Sequence, residues 1–433
     1  MAARPSALDL AAYGALGLPL AMAALPIYVH VPKFYADTLG LSLASVGGML
    51  LASRLFDAVQ DPLLGWWSDR HRAKTGSRWV FVGVGAPMLA AGMFGLFNPP
   101  ASSPSVLSWW LVANLLLVYT AFSVVTVSYQ AHGAEIVDDQ AGRTRVTAWR
   151  EGLSLIGVFA AAALPEILAQ RSGAREGFAQ FSWLFAPLVL GAAALTILRS
   201  PPAHSRVPPA APIFGALVLP FRNAHFRRLL VIFVLNGIAA SIPATLVLFF
   251  IQDVVKRADL TAYFLIAYFA AGAAGLPFWV WLSKRIGKGR SWLAAMILSI
   301  CAFVWAFILG ANHVVEFFVV CMMSGIGLGA DLALPPSILA DVIDLDEAHG
   351  LGRNEGAYFG LWNLVTKLNL ALAAGVALPL LGAFGYAPST ANGAQALFTL
   401  AAVYALLPCA LKALAAAALV LSPFIRSEGG TPP

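Results

Sequence analysis

Apolar residues gather in blocks of about twenty along nearly the whole chain, and short polar stretches separate the blocks. About twenty apolar residues in a helix cross the ~30 Å hydrocarbon core of a bilayer. The pattern therefore predicts membrane-spanning helices at about residues 8–30, 41–66, 79–98, 106–130, 150–169, 182–198, 228–251, 261–282, 291–311, 314–340, 356–384 and 394–421. Twelve such spans use roughly 240 residues and leave little room for a soluble domain. The N-terminal stretch "MAARPSALDLAAYG" runs into a full-length apolar block without a small-residue cleavage site, so a first span is expected there rather than a removed signal peptide.

Composition agrees with this. The 433 residues are 60% hydrophobic and 11% charged, against about 25% charged in soluble domains. A net charge of +6 would raise the question of nucleic acid in a soluble chain. Here the basic residues sit in alternate connections: "SDRHRAKTGSR", "DDQAGRTRVTAWR", the segment after residue 198, and "SKRIGKGR". The intervening connections "NPPASSPS" and "GANH" carry almost none. The positive-inside rule puts the basic side, and with it both termini, in the cytoplasm. No nucleic-acid partner is expected. The partners expected are the lipid bilayer and a small-molecule solute, for a monomer in a bacterial inner membrane.

The Pro-rich stretch from Ser200 to Pro220 falls at the midpoint. It predicts a linker, residues 200–227, between an N-terminal half, 1–199, and a C-terminal half, 228–433. "GWWSDRHRAKTGSRW" after the second span is echoed by "VWLSKRIGKGRSW" after the eighth. Internal repeats of this kind mark many secondary transporters, and the layout of six plus six spans resembles the major facilitator superfamily. The expected fold class is an all-α membrane protein of twelve helices in two halves. Cys301, Cys321 and Cys409 lie in apolar runs, where a thiol behaves as a small hydrophobe. No phosphate loop, HExxH or GxSxG motif occurs, so neither an ATP-driven pump nor an enzyme is indicated, and no cofactor is expected.

One apolar block carries charge where none is expected. In "RLFDAVQDPLLGW", Arg54, Asp57 and Asp61 are spaced i, i+3 and i+7. At 100° per residue they fall within about 60° of one another on a helix. A charge at the bilayer centre costs ~2.5–3.5 kcal/mol on insertion scales, so such a stripe faces the bundle interior or a water-filled cavity. An Arg54–Asp57 ion pair is the plainer reading, but it leaves Asp61 unexplained. A site that loads Na+ or H+ explains all three residues. Carboxylates are hard oxygen ligands, and two of them side by side suit proton exchange. Pro62 lacks an amide hydrogen, which frees the Ala58 carbonyl as a further oxygen ligand.

This segment resembles the second-helix signature of the glycoside–pentoside–hexuronide:cation symporters, the family of the melibiose permease. "FYADTLGLSLASVGGMLLASR" and "ADVIDLDEAHGLGRNEGAYFGLWNLVTK" extend the resemblance over nearly the whole chain. It implies a twelve-span fold with a central cavity and uptake of a solute coupled to Na+, Li+ or H+. It also implies that Asp57 and Asp61 are the cation-site carboxylates, that Lys367 is the eleventh-span lysine near them, and that Arg150 lies near the sugar. The chain departs from the family at three places. Leu20 or Ala21 falls where the first-helix sugar aspartate is expected, Val125 where the fourth-helix one is, and Gln60 replaces the asparagine between the two acids.

Other polar residues inside the spans join the candidate site. Lys367 follows Asn363 by four residues, and a lysine that deep in a span cannot easily snorkel out. Asp331 precedes the helix-disrupting Pro335 and Pro336. Tyr129 offers an aromatic platform for a sugar face. The cation group is thus Asp57, Asp61, Lys367 and Arg54, and the solute group is Arg150, Tyr129, Asn363 and Asp331. Asp69 and Arg70, just past the second span, resemble the superfamily's cytoplasmic loop motif and predict a gate. His132 and Glu135 lie at the same end. The function expected is cation-coupled symport of a glycoside or related sugar by alternating access. A lysophospholipid, another amphiphile or an organic anion is the alternative solute. Efflux by antiport and a non-transporting sensor are further readings.

Overall fold

The computed structural model describes residues 5–136, 140–202, 219–348, 355–388, 390 and 392–425. Among these, the secondary structure is helical. The chain forms α1 (Ala7–Gly14), α2 (Gly17–Lys33), α3 (Leu43–Thr75), α4 (Trp79–Phe97), α5 (Pro104–Glu135), α6 (Gln140–Ser172) and α7 (Ala174–Arg199). It continues with α8 (Ala224–Phe250), α9 (Thr261–Ile286), α10 (Lys288–Phe307), α11 (Val314–Ala348), α12 (Glu355–Ala383), α13 (Ala394–Ala401) and α14 (Leu407–Val420). Pi-helical turns join α13 to α14 and follow both α2 and α8.

Local chemistry sets several boundaries. Ser6 caps α1 through a reciprocal pair with Asp9: the Asp9 amide donates to Ser6 Oγ at 3.2 Å, and the Ser6 amide donates to Asp9 Oδ2 at 3.1 Å. Asn223 caps α8 by accepting from the amides of His225 and Phe226 at 2.7 and 3.1 Å. Gly173, between α6 and α7, and Gly287, between α9 and α10, have φ of +86° and +90°. A side chain rarely adopts such values, so each one-residue hinge requires glycine.

Among the described residues, eleven helical stretches are long and apolar enough to cross a membrane, α1 and α2 counting as one stretch and α13 and α14 as another. Helix α3 has the length, at 33 residues, but its charges keep it out of that count. It is the helix that carries Arg54, Asp57 and Asp61. Several helices outrun the apolar blocks: α5 continues to Glu135, and α7 begins at Ala174 rather than near 182. Hydropathy marks only the lipid-facing part of a helix, while backbone hydrogen bonding continues past it into polar sequence.

The chain divides into two compact units. One comprises Met1–Leu41 and Met49–Ala211; the other comprises Ser42–Gly48 and Pro212–Pro433. In the first unit, α2 packs on α6, and α4 packs on α5 and α7. An aromatic group of Phe34, Phe97, Phe178, Phe181 and Phe185 fills one end, with Phe97 and Phe178 stacked at 5.2 Å. In the second unit, α11 packs on α9 and α10, and α8 packs on α12 and α14. Its core holds Phe226, Trp279, Trp292, Leu334, Tyr358 and Trp362.

The α2–α6 contact depends on small residues, as is usual where membrane helices approach closely. A Cβ on Gly157 would collide with the Leu18 carbonyl, and one on Gly17 would lie 2.9 Å from the Arg150 carbonyl oxygen. Backbone atoms cannot swing aside as a side-chain tip can. Gly157→Ala is expected to lower stability by about 1–3 kcal/mol, the usual cost of overpacking, read as a lower thermal unfolding midpoint in detergent.

Candidate functional site

Asp57 is the most thoroughly buried acid of the α3 stripe, 1% exposed. Its Oδ2 accepts from Arg54 Nη1 at 3.1 Å. Its Oδ1 accepts from Ser123 Oγ on α5 at 2.9 Å and from Gln60 Nε2 at 3.2 Å. Gln60 Oε1 in turn accepts from Thr120 Oγ1 on α5 at 2.9 Å. The Arg54 guanidinium lies 4.2 Å from the centre of the Tyr119 ring, a cation–π position. Asp61 is half-buried one turn further along the same face. The three charges lie along one helix, α3, and the Arg54–Asp57 pair is formed.

The α5 side of this site was not legible in the sequence. Thr120, Ser123 and Tyr119 look like ordinary span residues until α5 lies against α3. Ser123 Oγ, Gln60 and Thr120 Oγ1 form a connected polar network around the Asp57 carboxylate.

A cavity of about 310 Å³ opens in the same unit between α2, α5 and α6. One wall is apolar and comes from α2, with Leu20, Ala21, Ala24 and Leu25. The other is polar, with Thr126, Gln130, Arg150, Glu151 and Ser154, and Tyr28 adds a phenol. Arg150 is half-buried there and donates to Glu151 Oε1 from Nη2 at 2.6 Å and from Nε at 3.0 Å. Tyr129 also lines the cavity, but its ring packs on Tyr13 at 4.6 Å and its hydroxyl donates to the Tyr13 carbonyl at 2.9 Å. Leu20 and Ala21 do face this space. Val125 is fully buried, and a Cβ on Gly85 would meet it at 2.6 Å, so it faces α4 while Thr126 takes the cavity-lining place. Tyr28, Thr126, Gln130, Glu151 and Ser154 were missed; Ser154 falls one turn after Arg150, so helical spacing from that residue would have found it.

The remaining predicted residues lie in the second unit. Asn363 is exposed and Lys367 half-buried, one turn apart on α12. Asp331 lies on α11. It pairs with Lys412 of α14 at 3.0 Å and accepts from Asn236 and Trp292. Lys412 was missed, although the rule that singled out Lys367, a lysine deep in an apolar run, applies equally to "LPCALKALAAAALV".

At the basic-loop end of the first unit, Arg70 is exposed, with its guanidinium 5.3 Å from the Trp66 ring centre. The side chain of Asp69 lies outside the described residues. The ion-pair cluster there is built by Arg72, Arg78 and Glu135. Arg72 Nε donates to Glu135 Oε2 at 3.0 Å, and Arg78 Nη2 donates to Glu135 Oε1 at 2.8 Å. Arg78 Nη1 also reaches Ser68 Oγ at 3.3 Å. Ser68 and Arg72 are one turn apart on the face of α3 that meets α5; Arg70, two residues from each, points elsewhere. His132 is buried against Trp79, with its Nε2 2.9 Å from the Pro201 carbonyl oxygen.

The family described as MFS/sugar transport protein matches residues 10–425. The chain belongs to that family. The relatives agree with the resemblance carried by α3, which places the chain among the glycoside–pentoside–hexuronide:cation symporters of the major facilitator superfamily. An uncharacterized symporter of Bacillus subtilis, YjmB, is 26% identical over 89% of this chain and 85% of its own length. The isoprimeverose transporter of Lactiplantibacillus pentosus is 24% identical over 91% and 84%. The mouse sphingosine-1-phosphate transporter MFSD2B is 22% identical over 84% and 78%. Among solved structures, a bacterial homolog of the human lysosomal transporter Spinster, inward-facing and unoccupied, superposes with a TM-score of 0.72 at 15% identity, covering 98% of both chains. The nucleoside transporter NupG superposes with a TM-score of 0.67 at 15% identity, covering 96% of this chain and 98% of its own. This protein is an integral membrane transporter of the symporter type, and not an enzyme.

Proposed function

We propose that this MFS/sugar transport family member couples entry of Na+ or H+ to uptake of a small solute, a glycoside or related sugar, by alternating access across twelve spans. Helix α3, the second span in chain order, completes the twelve, and the basic loops and termini face the cytoplasm. The observation that carries this reading is Asp57: a carboxylate removed from water inside a membrane helix, held by an arginine and two neutral donors that can rearrange. Loading Na+ requires Arg54 to give way on Oδ2 while hydroxyl and amide oxygens turn toward the ion. Loading H+ needs only the first step. Competition between a tethered cation and a free one makes the site reversible, as coupling requires. The cluster of Arg72, Arg78 and Glu135 acts at the cytoplasmic gate, beside the Asp69 and Arg70 loop.

The solute occupies the cavity lined by Arg150. Its volume lies at the small end of ligand pockets, ~300–1,000 Å³, and its polar wall supplies both donors and acceptors for hydroxyl groups. Arg150→Ala is expected to weaken apparent solute affinity by about 2–4 kcal/mol if the guanidinium contacts the solute directly, since charged hydrogen bonds contribute ~1.5–3 kcal/mol each.

A second reading keeps the coupling and changes the solute. The apolar α2 wall opposite Arg150 suits an amphiphile with an anionic head, and a sphingosine-1-phosphate transporter is among the relatives. An uptake panel in proteoliposomes separates the two, with pentosides, hexosides and hexuronides set against lysophospholipids under Na+ or proton gradients. Saturable, cation-stimulated uptake of a sugar supports the first reading. Uptake of lysolipid alone supports the second. Absence of cation stimulation for every solute sinks both.

A further inference from the structure

The second unit contains a closed ring of polar contacts that the α3 site does not account for. Asp331 Oδ1 accepts from Asn236 Nδ2 of α8 and from Trp292 Nε1 of α10, both at 2.9 Å. Asp331 Oδ2 accepts from Lys412 Nζ of α14 at 3.0 Å. Lys412 Nζ also donates to Asn236 Oδ1 at 2.7 Å. The ammonium is 3% exposed and the carboxylate 13%. Four helices thus meet at one buried ion pair among Trp292, Ala330 and Leu334 of the unit's core.

We propose that Asp331 and Lys412 form a second ion-coupling site, separate from the α3 acids, that takes a proton on Asp331 Oδ2. Packing alone gives little reason to keep such a pair, because apolar residues of similar volume at buried ion pairs are often neutral or stabilising. An ionisable group inside a membrane span is ordinarily there for function. The contacts also divide the two oxygens. Oδ1 is fixed by two neutral donors that can stay in place whether the group is a carboxylate or an acid. Of the ring's contacts, Oδ2 has only Lys412. Protonation from water therefore exchanges one contact: the O–H bond forms on Oδ2, the Nζ–Oδ2 pair opens, and Lys412 remains an ammonium bonded to Asn236 Oδ1.

Both helices are irregular beside the pair, so the opening has somewhere to go. Pro335 follows Asp331 by four residues and has no amide hydrogen to give the Asp331 carbonyl. The π-turn Ala402–Leu406 lies just before Leu407, where α14 begins, and such turns frequently accompany functional sites. Other ionisable groups on the packed helices are Cys409, one turn before Lys412, and the Lys288–Asp341 pair at 2.7 Å, with Asp341 ten residues or about 15 Å further along α11; α10 also carries Arg290 and Cys301, and α11 carries Glu316, Cys321 and Asp344. At the start of α8 come His225, Arg227 and Arg228, at least eight residues before Asn236.

The test is an infrared titration of the purified full-length protein, with the proton as the only probe. It follows the carbonyl stretch of protonated carboxyl groups as pH falls. A band that titrates in the wild type, is missing in Asp331→Asn, and changes its midpoint in Lys412→Met is expected, since Lys412 is the ring contact of Oδ2. If Asp331→Asn does not fold, the neutral pair Asp331→Asn with Lys412→Gln takes its place. A band unchanged by removal of Asp331, or a midpoint unmoved in Lys412→Met, overturns the proposal. This rests on the reading of the protein as an ion-coupled carrier, yet the two fail separately. The band persists in Asp57→Asn with Asp61→Asn if the site is real; a band lost there instead assigns the proton to α3 and removes Asp331 from coupling.

Discussion

Asp57→Asn is expected to abolish accumulation of solute against its gradient. Asparagine keeps the shape of the side chain and can still accept from Ser123 Oγ, so the α3–α5 contact survives. What it loses is the negative charge that a bound cation would neutralise. A contact to a charged group contributes about 1.5–3 kcal/mol, so its loss corresponds to roughly a ten- to hundredfold drop in ion affinity. The measurement is uptake in proteoliposomes with and without an imposed Na+ or proton gradient, beside solute exchange with no gradient. Gradient-driven uptake should vanish while exchange persists. Arg54→Gln should have the opposite tendency, with tighter ion binding, because it takes away the tethered competitor on Oδ2. An Asp57→Asn protein that still shows wild-type cation stimulation would remove α3 from the coupling mechanism.

The second large effect is expected at Glu135. One carboxylate joins Arg72 and Arg78, and Arg78 is 2% exposed. Glu135→Gln keeps the side chain's length but removes the charge that both guanidinium groups share. A loss of several kcal/mol is expected from a cluster this enclosed, read as a clearly lower melting temperature. A second readout tests the gate: limited proteolysis or thiol labelling at the basic-loop end should accelerate. Glu135→Asp should recover part of the stability and less of the gating, since its shorter stem cannot reach both arginines at once. A Glu135→Gln protein with unaltered stability and accessibility would make the cluster a surface feature.

The α3 stripe was legible because its logic is local. Three charges at i, i+3 and i+7 share a face in any helix, and a charged face in an apolar block has to turn inward. The pairing of Arg54 with Asp57 follows from the same spacing. The partners on α5 follow from nothing local: Ser123 and Thr120 become part of the site only when α5 packs beside α3. The gate shows the same division. Its charges were visible in the loop sequence, but helix phase and the approach of α5 decided that Arg72 and Arg78 meet Glu135. Tyr129 illustrates a third case. An aromatic residue in a span was expected to offer its face to a sugar, yet its ring lies against Tyr13.

By itself, the sequence determined that this protein is a bundle of membrane-spanning helices and that Arg54, Asp57 and Asp61 share one helix face. Hydropathy acts residue by residue along a span, and the lipid requires each span to satisfy its own backbone. Only the tertiary structure decided which oxygens surround Asp57, which residues wall the cavity at Arg150, and that Asp331 meets Lys412 across 81 residues of chain. Those outcomes depend on how the faces of separate helices are rotated toward one another, and side-chain packing between helices fixes that rotation.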